Sequence, residues 1–83
     1  MTIVELNDYL INHGYVRDHN RWKKTYKQDR GEIVIEYKLK KSLVQVYSIT
    51  NGTKIKFMKG RLSKINVNDR NELTGFNINK DNK

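Results

Sequence analysis

The chain predicts an α+β fold, in which one N-terminal helix packs on a curved antiparallel β-meander of about five strands. Three observations carry this expectation. Residues 3–13 repeat apolar side chains at helical spacing behind a capping signal. Residues 21–59 alternate charged and apolar side chains with the two-residue period of a strand. Short turn signals (Asp29-Arg30-Gly31, Lys41-Ser42 and Asn51-Gly52) divide that stretch, giving a helix followed by strands. The chain has 83 residues. A chain of that length holds one core, so a single domain is expected over residues 1–79, with 80–83 as a tail.

Each element has its own warrant. Thr2 is a natural N-cap, and Glu5 three residues on completes a capping box. Ile3, Leu6 and Leu10 form the apolar stripe, widened by Tyr9 and Ile11, and His13-Gly14 ends the helix. Arg17-Asp18-His19-Asn20 reads as a polar connection. The first strand, residues 21–28, sets Trp22 and Tyr26 against Lys23, Thr25 and Lys27. The second, 32–40, alternates most clearly: Ile33, Ile35, Tyr37 and Leu39 face one way, and Val34, Glu36, Lys38 and Lys40 the other. The third, 43–50, has two partly apolar faces, Leu43, Tyr47 and Ile49 against Val44 and Val46, which predicts a strand covered on both sides. Asn51-Gly52 is a type I′ hairpin signal. The fourth strand, 53–59, sets Ile55 and Phe57 against Lys54, Lys56 and Met58. Residues 62–67 and 72–78 are expected to pair as a last hairpin across 68–71.

Charge is concentrated in the strands. Of 17 Lys and Arg, fourteen lie between Arg17 and Lys64, opposed there by Asp18, Asp29, Glu32 and Glu36, a local balance of +10. If the strands pair in order, Lys23, Lys27, Lys38, Lys40, Lys54 and Lys56 share one face. Such a face attracts phosphates through counterion release, which makes nucleic acid, DNA or RNA, the leading expected partner. The competing reading is that the lysines solvate an open sheet and discourage edge pairing. Trp22 and Tyr47 are the aromatic candidates for contact with a partner. Trp22 and Tyr26 also read as core or edge packing, which their spacing favours.

Catalysis and metal binding find little support. Glu36-Tyr37-Lys38 fits the acid-x-Lys half of a nuclease motif with Asp29 upstream, but the preceding proline is missing and a strand face produces this tripeptide readily. The expectation is no catalytic residue. His13 reads as a helix end, and His19 has no second ligand at metal spacing. No metal and no cofactor is expected. Cysteine is absent, which excludes disulfides and thiolate sites. The N-terminus lacks a signal-peptide pattern, and no apolar run reaches the roughly 20 residues of a membrane span. A cytoplasmic protein without a membrane partner is therefore expected.

The stretches Arg21 to Tyr26 (RWKKTY) and Glu32 to Ile49 (EIVIEYKLKKSLVQVYSI) occur in a chain lacking Ala and Pro, with thirty Lys, Asn and Ile residues, an AT-rich coding signature. On those features the chain resembles small accessory and anti-defence proteins of bacteriophages and mobile elements. The resemblance implies a non-enzymatic protein acting in the host cytoplasm. Its partner would be nucleic acid or, alternatively, a host protein that it inhibits or modulates, such as an acidic protein, a defence nuclease or another nucleic-acid-processing enzyme. In that second case Trp22, Tyr15, Tyr47 or Phe57 would anchor the interface. One helix before a strand meander is also similar in architecture to the Sm-like fold.

Overall fold

A computed structural model of the protein describes residues 1–78; the tail expected at 80–83 lies outside the described residues. Helix α1 covers Ile3–Asn12, with Thr2 as N-cap. The capping box is complete: the Glu5 N–H donates to Thr2 Oγ1 at 3.2 Å, and the Thr2 N–H donates to Glu5 Oε1 at 2.8 Å. The Thr2 backbone bond, followed by its side chain, holds the Glu5 carboxyl below the usual carboxylate range. His13 caps the other end, and the Lys24 ammonium donates to its carbonyl at 2.7 Å, a cation at the negative end of the helix dipole.

Eight strands follow: β1 (Val16–Asp18), β2 (Arg21–Gln28), β3 (Gly31–Lys40), β4 (Leu43–Thr50), β5 (Thr53–Arg61), β6 (Asn66–Val67), β7 (Leu73–Thr74) and β8 (Asn77–Ile78), with a 3-10 turn at Leu62–Lys64. The fold is α+β, but the main sheet has six strands rather than about five, in the order β1-β2-β3-β4-β5-β8, and β6-β7 form a separate ribbon. Every pairing is antiparallel. The strand lying wholly outside the expected ones is β1. Its three residues pair with Arg21, Trp22 and Lys23 across a His19-Asn20 turn, in which His19 takes a left-handed φ of 57°. No glycine marks that turn, which is why it reads as a connection. The Asn51-Gly52 turn has φ of 51° and 80°, the two positive values of type I′. The expected last hairpin is shortened to Asn66–Val67 against Leu73–Thr74, while Asn77 and Ile78 extend the main sheet beside β5.

One face of the sheet carries the core. Paired residues lie on the same side, so Trp22, Tyr37, Val46 and Met58 form one row. Leu6 and Leu10 of α1 pack with Tyr15, Trp22, Val44 and Ile65, and Ile35, Leu39, Leu62, Leu73 and Phe76 pack around them. Trp22 has no exposed surface, and its indole N–H donates to Asn7 Oδ1 at 3.0 Å, so its polar edge is satisfied inside the core. Gly75 lets the chain close over this layer. Its φ is 98°, and a side chain there would collide with the Lys64 carbonyl.

Tyr15 and Tyr37 meet edge to face at 5.3 Å in the same layer. Burial pushes the Tyr37 phenol up to about 12, and burial, with the Tyr26 hydroxyl next, raises Tyr15 further. A raised folded value means that the stabilisation is complete below the ordinary tyrosine value of about 10 and is lost as pH climbs through the folded value. In an alkaline absorbance titration, we expect two of the five tyrosines to ionise only as the circular dichroism collapses. Reversible ionisation of all five with the fold intact would contradict this packing.

Candidate nucleic-acid interface

The other face of the sheet is basic. The register sets Lys23, Glu36, Tyr47 and Lys56 in one row across β2 to β5, Arg21, Lys38, Gln45 and Lys59 in the next, and Thr25, Val34, Ile49 and Lys54 on the other side. Lys27 pairs with Glu32, and Lys40 continues through Leu43 to Arg61. All six lysines expected from the alternation therefore share this face. Arg21, Lys59 and Arg61 join them, making nine cations against Asp18, Glu32 and Glu36.

Arg21 lies two residues before Lys23, and the strand period alone identifies it. Lys59 was not legible in that way. In β5 the pairing passes from Val46 opposite Met58 to Tyr47 opposite Lys56, so Phe57 is the extra residue of a bulge. The bulge shifts the alternation by one. Met58 thereby moves to the core side, opposite Val46 and beside Ile78 of β8, in place of the lysine side expected for it.

The two aromatic candidates separate. Trp22 belongs to the core and presents nothing to a partner, because its side of β2 is the one that α1 covers. Tyr47 lies in the centre of the basic face and is half-buried. Its hydroxyl donates to Gln45 Oε1 at 3.3 Å, and the Lys54 ammonium lies 4.5 Å from its ring centroid. The expectation that β4 is covered on both sides holds on the helix side, where Val44 and Val46 are buried. On the basic side Leu43, Tyr47 and Ile49 are half-buried among neighbouring side chains and take no part in the core.

Glu36 is the unexpected residue. It is only 1% exposed although it lies on the face away from the helix. Lys54 approaches its Oε2 at 2.9 Å and Lys23 its Oε1 at 3.6 Å. The acid is an internal counterion that engages two of the nine cations, which reduces the repulsion of crowded lysines. Among the described residues, no ion pair joins Lys27, Lys38, Lys40 or Lys59 to an acid.

Both Glu36 oxygens thus face ammonium groups, while Asp29 lies in the β2–β3 turn at the far end of the strand. Among the described residues, no three His, Asp or Glu side chains gather as a metal site. His13 Nδ1 lies 2.7 Å from the Tyr9 carbonyl, with its ring stacked on Tyr9, and His19 Nδ1 lies 2.7 Å from Asp18. No described helix is long and apolar enough to cross a membrane. The face is open, since the described residues enclose no pocket. No family model matches the chain, and neither the curated proteins nor the solved structures include a match to it.

Proposed function

We propose that the protein is a small non-enzymatic binding module that holds nucleic acid on the basic face of its sheet. The observation carrying this reading is the alignment of nine cations from β2, β3 and β5 on one side of the molecule, opposite the side that builds the core. An ordered array of ammonium and guanidinium groups suits a polyanion with repeating charge, and each phosphate that is neutralised releases counterions. Lys38, Lys40 and Lys59 are the phosphate contacts. Lys23 and Lys54 stay with Glu36 and add to the positive field of the face.

Fluorescence anisotropy with labelled oligonucleotides at two salt concentrations tests the proposal. Contact with three or more phosphates predicts a loss of roughly 20-fold or more in affinity for each fourfold rise in salt. No binding at low salt would end the nucleic-acid reading.

A second reading, a phage or mobile-element protein that docks on a host protein, has a different observation in its favour. Val4 and Ile11, two turns apart on α1, are 64% and 46% exposed. Apolar residues on the outer side of a helix suit a protein contact. In that case Val4→Ser with Ile11→Ser would abolish capture of the host protein while the lysines would mainly alter association rate.

A further inference from the structure

The cations on the basic face are not evenly scattered. One set stands on β2 and β3 (Arg21, Lys23, Lys27, Lys38 and Lys40), and the other on β5 (Lys54, Lys56, Lys59 and Arg61). Between them runs β4, Leu43–Thr50, a strand without a charged residue. On this face β4 presents Leu43, Gln45, Tyr47 and Ile49, all half-buried. At the usual spacing of about 4.8 Å between strands, β3 and β5 stand about 10 Å apart. The result is two basic rails with an uncharged, largely apolar lane between them.

We infer that this arrangement selects single-stranded nucleic acid, with unpaired bases over the β4 lane, one of them on Tyr47, and the phosphates on the flanking rails. The inference rests on the nucleic-acid reading above and narrows it to one class of ligand. A duplex keeps its base faces stacked inside and offers a broad surface only phosphates and groove edges. The face from β2 to β5 is about 14 Å wide before its side chains are counted, too broad to enter a major groove of about 12 Å. An apolar lane therefore gains nothing from a duplex. Unpaired bases do have apolar π-faces to bury, and aromatic platforms within basic grooves exploit them without regard to sequence.

Tyr47 already serves as such a platform for a cation. Lys54 Nζ lies over its ring and 2.9 Å from Glu36. When a strand binds, a base takes the place of Lys54 over the ring, and the ammonium keeps its bond to Glu36. The Gln45 side chain, which holds the Tyr47 hydroxyl, fixes the ring from the next row. An acidic peptide would satisfy the rails as well, but the lane carries the only apolar surface between them and favours flat, uncharged groups.

The test compares four labelled ligands on the full chain: a thymidine strand of about twelve nucleotides, the matching duplex, a strand of equal length with abasic sites, and a polyglutamate peptide. The expected order places the thymidine strand first, about tenfold or more above both the duplex and the abasic strand. Tyr47→Leu is expected to weaken the thymidine strand by about 5- to 100-fold and to leave the abasic strand within twofold. Tyr47→Phe keeps the ring and should retain most of the affinity. The abasic comparison uses the unaltered protein, so it decides the matter even if a Tyr47 variant folds poorly. Equal binding of thymidine and abasic strands, or a preference for the duplex, would overturn the single-strand inference and leave the nucleic-acid reading intact. Binding of polyglutamate with no binding of any oligonucleotide would overturn both.

Discussion

Leu6→Asp is expected to unfold the protein. Leu6 has no exposed surface and meets Trp22, Val44 and Ile65 in the layer between helix and sheet. Loss of its apolar burial costs about 2–3 kcal/mol. A carboxylate left without a partner in the same place adds several kcal/mol more. Folded domains hold only about 5–15 kcal/mol in total, and one of this length lies toward the lower end. Without α1 packed in place, Trp22 and Ile35 face water. Val4→Asp, two residues away on the opposite side of α1 and 64% exposed, is the matched control and should change stability by less than about 0.5 kcal/mol. Urea unfolding followed by tryptophan fluorescence distinguishes the two, because Trp22 is the one tryptophan and reports directly on the helix–sheet layer. A Leu6→Asp midpoint close to that of the unaltered protein would mean that α1 does not cover this face.

Simultaneous Lys38→Ala, Lys40→Ala and Lys59→Ala is expected to lower nucleic-acid affinity by on the order of 100-fold at low salt and to reduce the log–log salt slope by about two units. These three are chosen because no ion pair holds them among the described residues. Their removal therefore leaves no buried acid unpaired, and the thermal midpoint should barely move. Lys23 and Lys54 would be poor choices, since both neutralise Glu36. Arg70→Ala, in the β6–β7 turn, where the next residue's carbonyl (Asn71) accepts from Tyr9 of α1 on the helix side of the sheet, should have little effect. A triple variant with full affinity and an unchanged slope would show that phosphates are not held by these rails.

Local signals made much of the fold legible. The capping box located the start of α1, and strict alternation located β2, β3 and β4 to within a residue of their ends. The same alternation set the lysines of each strand on one side, and two-residue turns at 29–30, 41–42 and 51–52 fix the register that brings all six onto one face. What escaped lacked a local signal. Strand β1 is three residues long and turns through a left-handed histidine. Strand β8 pairs at only two positions, with a partner some twenty residues earlier in the chain. The burial of Glu36 depends on side chains from β2 and β5 converging over it, and nothing in its own neighbourhood of sequence announces that. Trp22 was ambiguous for a related reason: alternation says which face a residue takes, but not which face the helix will cover.

The bulge at Phe57 gives β5 two phases. Thr53–Lys56 are set by the Asn51-Gly52 turn, and Met58–Arg61 by contact with β8 and with Gly75, whose carbonyl would lie 2.8 Å from a side chain added at Gly60. The extra residue acts as a one-step frameshift between these segments. It delivers Met58 and Gly60 to the crowded inner side, where a sulfur and a hydrogen fit, and Lys59 and Arg61 to the outer one. Were Phe57 paired opposite Val46 in place of Met58, with no bulge, the downstream half of β5 would be read in the opposite frame. Two cations would be driven into the core, and the basic rail on that edge would end at Lys56. A single unpaired residue in one strand thus governs both the packing of the interior and the extent of the charged surface.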